Sequence, residues 1–464
     1  MQMRYIVLFI LSICGIILID FASILFALSL FITGSILVKV IFKSNTKYHL
    51  KLYQVSFIIG LTYLILCYAY MKFHNYEYLL GIDSIGAFIP KTKDCIDNSN
   101  DFFSAVAYLF KDFSFFNRDS YGYYVGAILF GLISKFLKID IYFSLQLYSL
   151  VFGAFISNLL FILFDKNGFN FSKSYKYSIV IFVVSPILFY STIVARDIHV
   201  TLLYLIAINL TLTRKLLLKN IFYLFIVILI CTTFRVESGL FLLILIPTYL
   251  ILTLQNKRQR GYVIFISLVI GIIFLGFIIS NYDQIQSTYI AYEETYVEGT
   301  TEETGVISTL QQIPIAGDFA SIVYNAIQPL PFWTRFSPEL ARDKKHGQET
   351  YNVMNFPKSF SSFFHWFVIV NILFWIFSKE LKRKTKDYIS KPLNYHLWIG
   401  LIFLFLQSAV ISQRRLLGYY CVFYILFFII YENISLSEKK LINATTIISF
   451  VILQITGVLY LMEL

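Results

Sequence analysis

The segment Ser191-Thr-Ile-Val-Ala-Arg196-Asp197-Ile-His199-Val200 places an arginine and an aspartate side by side in an otherwise apolar run. From Tyr177 to Thr213 these two residues are the only charged ones. A helix crosses a bilayer with about 20 apolar residues, and this run is nearly twice that length. The run therefore predicts two helices that meet at Arg196 and Asp197.

The composition indicates a polytopic membrane protein. Of the 464 residues, 58% are hydrophobic and only 14% are charged, and a soluble domain could not bury so much apolar surface. The net charge of +11 could suggest nucleic acid, but the basic residues form short clusters between apolar segments. Such clusters are typical of cytoplasmic loops beside anionic lipid, so we expect membrane lipid as a partner and no nucleic acid.

The apolar segments predict an all-α fold: a single integral membrane domain over 1–464, with about 13 transmembrane helices. Segment 121–139 is treated separately, because it begins with polar tyrosines and carries Lys135 and Lys138 near its end. It is predicted to be an interfacial or re-entrant helix. The predicted spans are 5–19, 21–42, 53–72, 142–164, 177–195, 198–213, 219–234, 238–255, 262–281, 361–377, 394–412, 416–431 and 441–461.

Lysine and arginine clusters in short loops predict the orientation, because such loops face the cytoplasm. One path through the membrane puts every cluster on the cytoplasmic side, with the N-terminus inside. Two long loops then lie outside the cytoplasm, at 73–120 and 282–360. The basic clusters are Lys39–Lys51, Lys166–Lys176, Arg214–Lys219, Lys257–Arg260, Lys379–Lys386 and Lys439–Lys440.

Three tight turns break this charge rule, because they place arginine on the outer side. They contain Arg196, Arg235, and the pair Arg414 and Arg415. Each arginine could simply pair with a nearby carboxylate, such as Asp197 or Glu237, or reach lipid phosphates. Three such turns together favour a role in binding a ligand, because the planar guanidinium binds phosphate well. We expect a site for the pyrophosphate of a polyprenyl carrier.

Acidic and imidazole side chains are the candidates for the remaining chemistry. Asp83 lies in a Gly-x-Asp pattern in the first outer loop and is a candidate general base or sugar ligand, although aspartate beside glycine is also common in turns. Glu237 is a second candidate base. His199 is a weaker candidate for substrate binding, since a histidine one turn inside a helix is often a core residue.

The arrangement resembles the bacterial polysaccharide repeat-unit polymerases, the O-antigen or Wzy-type family. The similarity rests on the outer-loop Gly-x-Asp, on Pro186-Ile-Leu-Phe-Tyr190-Ser followed by Arg196-Asp197, on Arg235, and on Arg414-Arg415-Leu-Leu-Gly-Tyr before the last helices. The resemblance implies that Arg196, Arg235, Arg414 and Arg415 hold an undecaprenyl pyrophosphate. Asp197, which is adjacent to Arg196 in the chain, is expected to orient that arginine. Some members carry Arg-x10-Gly in the late loop; here eleven residues separate Arg335 from Gly347, so Arg335 is a weak candidate.

The implied reaction is an inverting glycosyl transfer on the outer face of the bacterial cytoplasmic membrane. It would polymerise lipid-linked oligosaccharides into lipopolysaccharide O-antigen or capsule, alongside a flippase and a chain-length regulator. No metal-ligand spacing is visible, so we expect neither a metal nor another cofactor. Two alternatives remain open: a GT-C glycosyltransferase that uses a polyprenyl-phosphate sugar, and a lipid-linked oligosaccharide flippase.

Overall fold

The computed structural model describes residues 20–73, 87–111, 120–212, 218–254, 257–280, 356–386, 388–389, 391–406 and 413–462. Every regular element in these ranges is a helix, as the sequence predicts. The helices are α1 (Phe21–Ile41), α2 (Thr46–Phe73), α3 (Ile89–Asp97), α4 (Phe102–Leu109), α5 (Tyr121–Leu137), α6 (Ile141–Lys166), α7 (Phe171–Val184), α8 (Ile187–Tyr190), α9 (Asp197–Thr211), α10 (Leu218–Phe234), α11 (Val236–Thr253), α12 (Lys257–Ser280), α13 (Phe356–Phe377), α14 (Lys379–Thr385), α15 (Lys391–Leu406), α16 (Gln413–Asn433) and α17 (Leu436–Met462).

Four of the described helices contain stretches long and apolar enough to cross a membrane. Five further described helices are apolar but shorter. These helices are typical of a membrane protein, and the larger number of crossings expected from the sequence remains a proposal. The four candidate stretches are Phe21–Ile41, Thr46–Ala69, Ile141–Lys166 and Pro357–Phe377.

The central helices give the bundle two distinct ends. Helices α2 and α6 run antiparallel, because the His49 ring contacts Asn158 near the end of α6 whereas Tyr68 donates to Asp140 at its start. Helix α9 runs parallel to α6, with Asn209 donating to the carbonyl of Leu159. The turns between these helices therefore lie at two opposite ends of the bundle.

Four of the predicted basic clusters meet at one level, which we call the basic end. Lys173 forms an ion pair of 2.6 Å with Glu432, and Lys384 forms one of 3.1 Å with Glu438, next to Lys439. Lys51 lies 4.6 Å from the ring centroid of Tyr175. The opposite level, where α9 and α11 begin, is the arginine end.

The predicted span 177–195 is wrong as a continuous helix. Helix α7 ends at Val184, because Pro186 lacks an N–H and its ring disfavours helical backbone at the preceding residue. Ser185 accordingly has an extended conformation, with φ −95° and ψ 170°. After the short helix α8, residues 191–196 are irregular and all but Arg196 are buried. Irregular backbone in a membrane protein is tolerated where protein surrounds it.

Two helices occupy the described part of the predicted first outer loop and pack on α5. Their small core contains Cys95 of α3, Leu109 of α4 and Ile128 of α5. An ion pair of 3.3 Å joins Lys135 of α5 to Asp97 of α3. The segment predicted at 121–139 is thus helical over Tyr121–Leu137, and these three helices gather around the start of α6.

Candidate functional site

Arg235 and Asp197 form a buried ion pair at the arginine end. Nη2 of Arg235 donates to Oδ1 of Asp197 at 2.7 Å, and the two side chains are only 3% and 2% exposed. Asp197 is the first residue of α9, whereas Arg235 precedes α11 in an extended conformation with φ −153° and ψ 116°. The sequence interpretation joined Asp197 to Arg196, but this ion pair links it to an arginine 38 residues later.

Arg196 is half-buried and lies beside the start of α5. Its Nη1 donates to the hydroxyl of Ser120 at 2.5 Å and to the carbonyl of Phe234 at 3.2 Å. That carbonyl is at the C-terminal end of α10, where the helix dipole favours a cation. Arg196 therefore connects three helices, while its partial exposure gives a ligand a route to the guanidinium.

Ser120 has a left-handed backbone, which is uncommon for a residue other than glycine. Its φ is +71°, and its N–H donates to the Phe234 carbonyl at 3.2 Å. The same carbonyl thus accepts from both Ser120 and Arg196. Residues in sparsely populated backbone conformations cluster at functional sites, and this one holds the guanidinium. The sequence carried no signal that singled Ser120 out.

His199 lies within a box of aromatic rings one half-turn into α9. Its ring centroid lies 4.4 Å from that of Tyr148, 4.5 Å from Phe152, 5.3 Å from Tyr123 and 5.5 Å from Phe234. The side chain is only 1% exposed, and the four rings that surround it give it the environment of a core residue. We therefore retain His199 as a weaker candidate for substrate binding than Arg196.

The irregular segment before Arg196 is held against α6. The side-chain amide of Gln146 donates to the carbonyl of Thr192 at 2.7 Å. Gly153 allows Ser191 to approach closely: a Cβ at Gly153 would lie 2.0 Å from the Ser191 hydroxyl. These two contacts fix the path of the backbone that leads to Arg196.

Helix α16 begins at the arginine end, as the prediction for its arginines requires. Near its start, the Tyr419 ring lies 5.7 Å from that of Tyr204 in α9, whereas Glu432 near its other end lies at the basic end. Arg414 and Arg415 are the second and third residues of this helix, and the description of both is limited to the backbone.

The first turns of α9, α11 and α16 thus share one end of the bundle. Unpaired N–H groups give a helix start a partial positive charge, which adds to that of the arginines. An end of this kind suits an anion such as phosphate. Glu237 is the second residue of α11, again described for the backbone alone.

Two predicted residues, Asp83 and Arg335, lie outside the described residues. Phe88, five positions after Asp83 in the chain, packs on Tyr123 with ring centroids 4.7 Å apart. The described end of the first outer loop therefore contacts the aromatic box around His199. Within the described ranges, no group of three or more His, Cys, Asp or Glu side chains could hold a metal ion.

The described residues define an all-helical protein with helices suited to a membrane, and with Arg196 and the buried pair of Arg235 and Asp197 at one end of the bundle. No family model matches the chain, and neither does a curated protein or a solved structure.

Proposed function

We propose that this protein polymerises undecaprenyl-pyrophosphate-linked oligosaccharide repeat units into a surface polysaccharide, O-antigen or capsule. The observation that carries the proposal is the position of Arg196. It is half-buried at the end opposite the basic clusters, fixed by Ser120 and backed by the buried pair of Arg235 and Asp197. A fixed guanidinium is suited to a pyrophosphate, because it can offer parallel N–H donors.

The proposed orientation has the basic end in the cytoplasm and the arginine end outside, in a bacterial cytoplasmic membrane crossed about 13 times. The gathering of lysine clusters at one end supports it through the positive-inside rule. A substrate site at the arginine end would then meet lipid-linked glycans that a flippase delivers. A chain-length regulator would act at the same face.

In the proposed reaction, a hydroxyl oxygen of the acceptor sugar attacks C1 of the sugar on the carrier. The new bond joins that oxygen to C1, the bond from C1 to the pyrophosphate oxygen breaks, and the anomeric configuration inverts. Asp83 or Glu237 accepts the hydroxyl proton. The leaving pyrophosphate carries the electron pair, and Arg196, with Arg414 and Arg415, offsets its growing negative charge by preorganised electrostatics.

Surface polysaccharide from cells expressing Arg196→Gln tests the proposal. We expect single repeat units in place of the ladder of long chains, because glutamine cannot offset the charge of the leaving group. Arg196→Lys retains the charge but not the fork, so we expect short chains. Lys173→Gln, which breaks an ion pair at the basic end, is the matched control and should give full ladders.

Each variant is also compared with the unchanged protein for its amount in the membrane and its thermal stability, since Arg196 connects three helices. Full-length ladders from a stable Arg196→Gln protein would overturn the proposed function. If Arg196→Gln also lowers the amount of protein, the ladder is compared for Arg196→Lys, which keeps a positively charged donor at this position.

A further inference from the structure

Lys358 lies beside the irregular segment at the arginine end. It is the third residue of α13 and is half-buried. Its Nζ lies 5.8 Å from the ring centroid of Phe189 in α8. Phe189 and Tyr190 end the short helix that leads to residues 191–196. A second cation therefore lies near the chain segment that carries Arg196.

Tyr420 faces the same short helix from α16. Its ring centroid lies 4.6 Å from that of His365 in α13, and the residue lies near Tyr190 of α8. The residue is 6% exposed, yet its hydroxyl has no hydrogen-bond partner among the described residues. A buried hydroxyl without a partner is costly, and this one is available to donate a hydrogen bond to a ligand.

Helices α13 and α16 lie side by side and both begin at the arginine end. His365 contacts Tyr420 in the first half of both helices. Lys384, shortly after α13, pairs with Glu438, shortly after α16, so the two helices are parallel. The first turn of each adds positive partial charge at this level. Arg414 and Arg415, six and five positions before Tyr420, belong to that first turn of α16.

We propose that Lys358 and the hydroxyl of Tyr420 bind a diphosphate group beside Phe189 and Tyr190. The inference rests on the proposed function, because it assigns this subsite to the diphosphate of the lipid-linked substrate. The ammonium group supplies charge, and the tyrosine hydroxyl donates a hydrogen bond to a phosphate oxygen. Phe189 and the aromatic rings of α13 and α16 provide apolar surface for the first isoprene units of the carrier.

A packing role for Lys358 makes a different prediction. Lys439 at the basic end also lies over an aromatic ring, with its Nζ 5.0 Å from the centroid of Tyr431. If Lys358 served only to pack on Phe189, then Lys358→Gln and Lys439→Gln would behave alike. Lys439→Gln is therefore the matched control.

The experiment measures binding of farnesyl diphosphate, inorganic pyrophosphate and farnesol to the purified full-length protein in nanodiscs. We expect Lys358→Gln to weaken farnesyl diphosphate binding by about tenfold, equivalent to about 1.4 kcal/mol, and Lys358→Arg to retain most of it. Tyr420→Phe should weaken binding several-fold while leaving thermal stability unchanged or higher, because it removes an unpaired buried hydroxyl. Lys439→Gln should bind as the unchanged protein does.

Comparison of the ligands distinguishes a lipid-linked diphosphate from free pyrophosphate. Stronger binding of farnesyl diphosphate than of pyrophosphate supports a lipid-linked substrate, whereas equal binding would overturn the role of the apolar surface. Unchanged binding by both Lys358→Gln and Tyr420→Phe would overturn the subsite, and the proposed function would stand if Arg196→Gln still lost binding. No diphosphate binding by the unchanged protein would overturn both.

Discussion

Nη2 of Arg235 lies 2.7 Å from Oδ1 of Asp197, and both side chains are almost completely buried. This contact ties the start of α9 to the start of α11. It also distinguishes the two arginines, since Arg235 is held inside the bundle and Arg196 is half-exposed. Arg196 is therefore the clearer test of ligand binding, and Arg235 is first a test of stability.

Breaking the buried pair should destabilise the protein strongly. Asp197→Asn or Arg235→Gln removes one charge and leaves the other buried, at a cost of about 3–5 kcal/mol. The double variant Asp197→Leu with Arg235→Met should recover much of the loss, because it leaves no buried charge. Thermal unfolding of the purified protein in detergent measures each effect.

The exposed pair at the basic end is the control for that comparison. Lys173 is 47% exposed on its side chain, and such pairs contribute about 0–1 kcal/mol. Lys173→Gln should thus unfold at nearly the temperature of the unchanged protein. Equal stability of Lys173→Gln and Asp197→Asn would show that the buried pair contributes no more to stability than the exposed pair does.

Substitutions at Ser120 separate its backbone from its hydroxyl. Ser120→Ala and Ser120→Gly both remove the acceptor for Arg196, but only glycine adopts φ +71° without strain, which costs other residues about 1–2 kcal/mol. We expect glycine to be the more stable variant and both to make equally shortened polysaccharide. Thermal unfolding measures stability, and the ladder on a gel measures polymer length. If the more stable of the two variants made the longer polymer, a role for the hydroxyl would be excluded.

Adding a methyl group at Gly153 should displace the segment that leads to Arg196. The new Cβ would lie 2.0 Å from Oγ and 2.5 Å from Cβ of Ser191, and such overpacking costs about 1–3 kcal/mol. We expect Gly153→Ala to lower both the unfolding temperature and polymer length. Gly261→Ala is the control: among the described residues, no atom outside the adjacent part of its own helix lies within 4 Å of the added Cβ, so helix propensity should stabilise it by about 0.5–1 kcal/mol.

The proposed use of arginine in place of a metal ion predicts activity without divalent cations. Purified protein with a lipid-linked repeat unit should form polymer at the same rate before and after treatment with EDTA. The measurement is the rate of polymer formation on a gel. Loss of activity in EDTA, with recovery on adding magnesium or manganese, would contradict this expectation.

Most helices followed from the sequence, because apolar runs of this length indicate membrane helices wherever they occur. The broken stretch after α7 did not follow, although Pro186 marks it. An apolar run of 177–195 fits one span by length, and only neighbouring helices determine whether the backbone after a proline continues or turns. The contact of Ser120 with Arg196 did not follow either, and neither did the proposed roles of Lys358 and Tyr420, because ordinary residue types carry no sign of their neighbours.

The order of amino acids alone predicts that the chain is helical and suited to a membrane, and it places Arg196, Asp197 and Arg235 within apolar runs. Those properties depend on composition and local order along the chain. The ion pair of Asp197 with Arg235, and the contacts of Arg196 with Ser120 and the end of α10, depend on how the helices pack. Such pairings join residues 38 and 76 positions apart, and the packing of helices, which local sequence does not encode, brings them together.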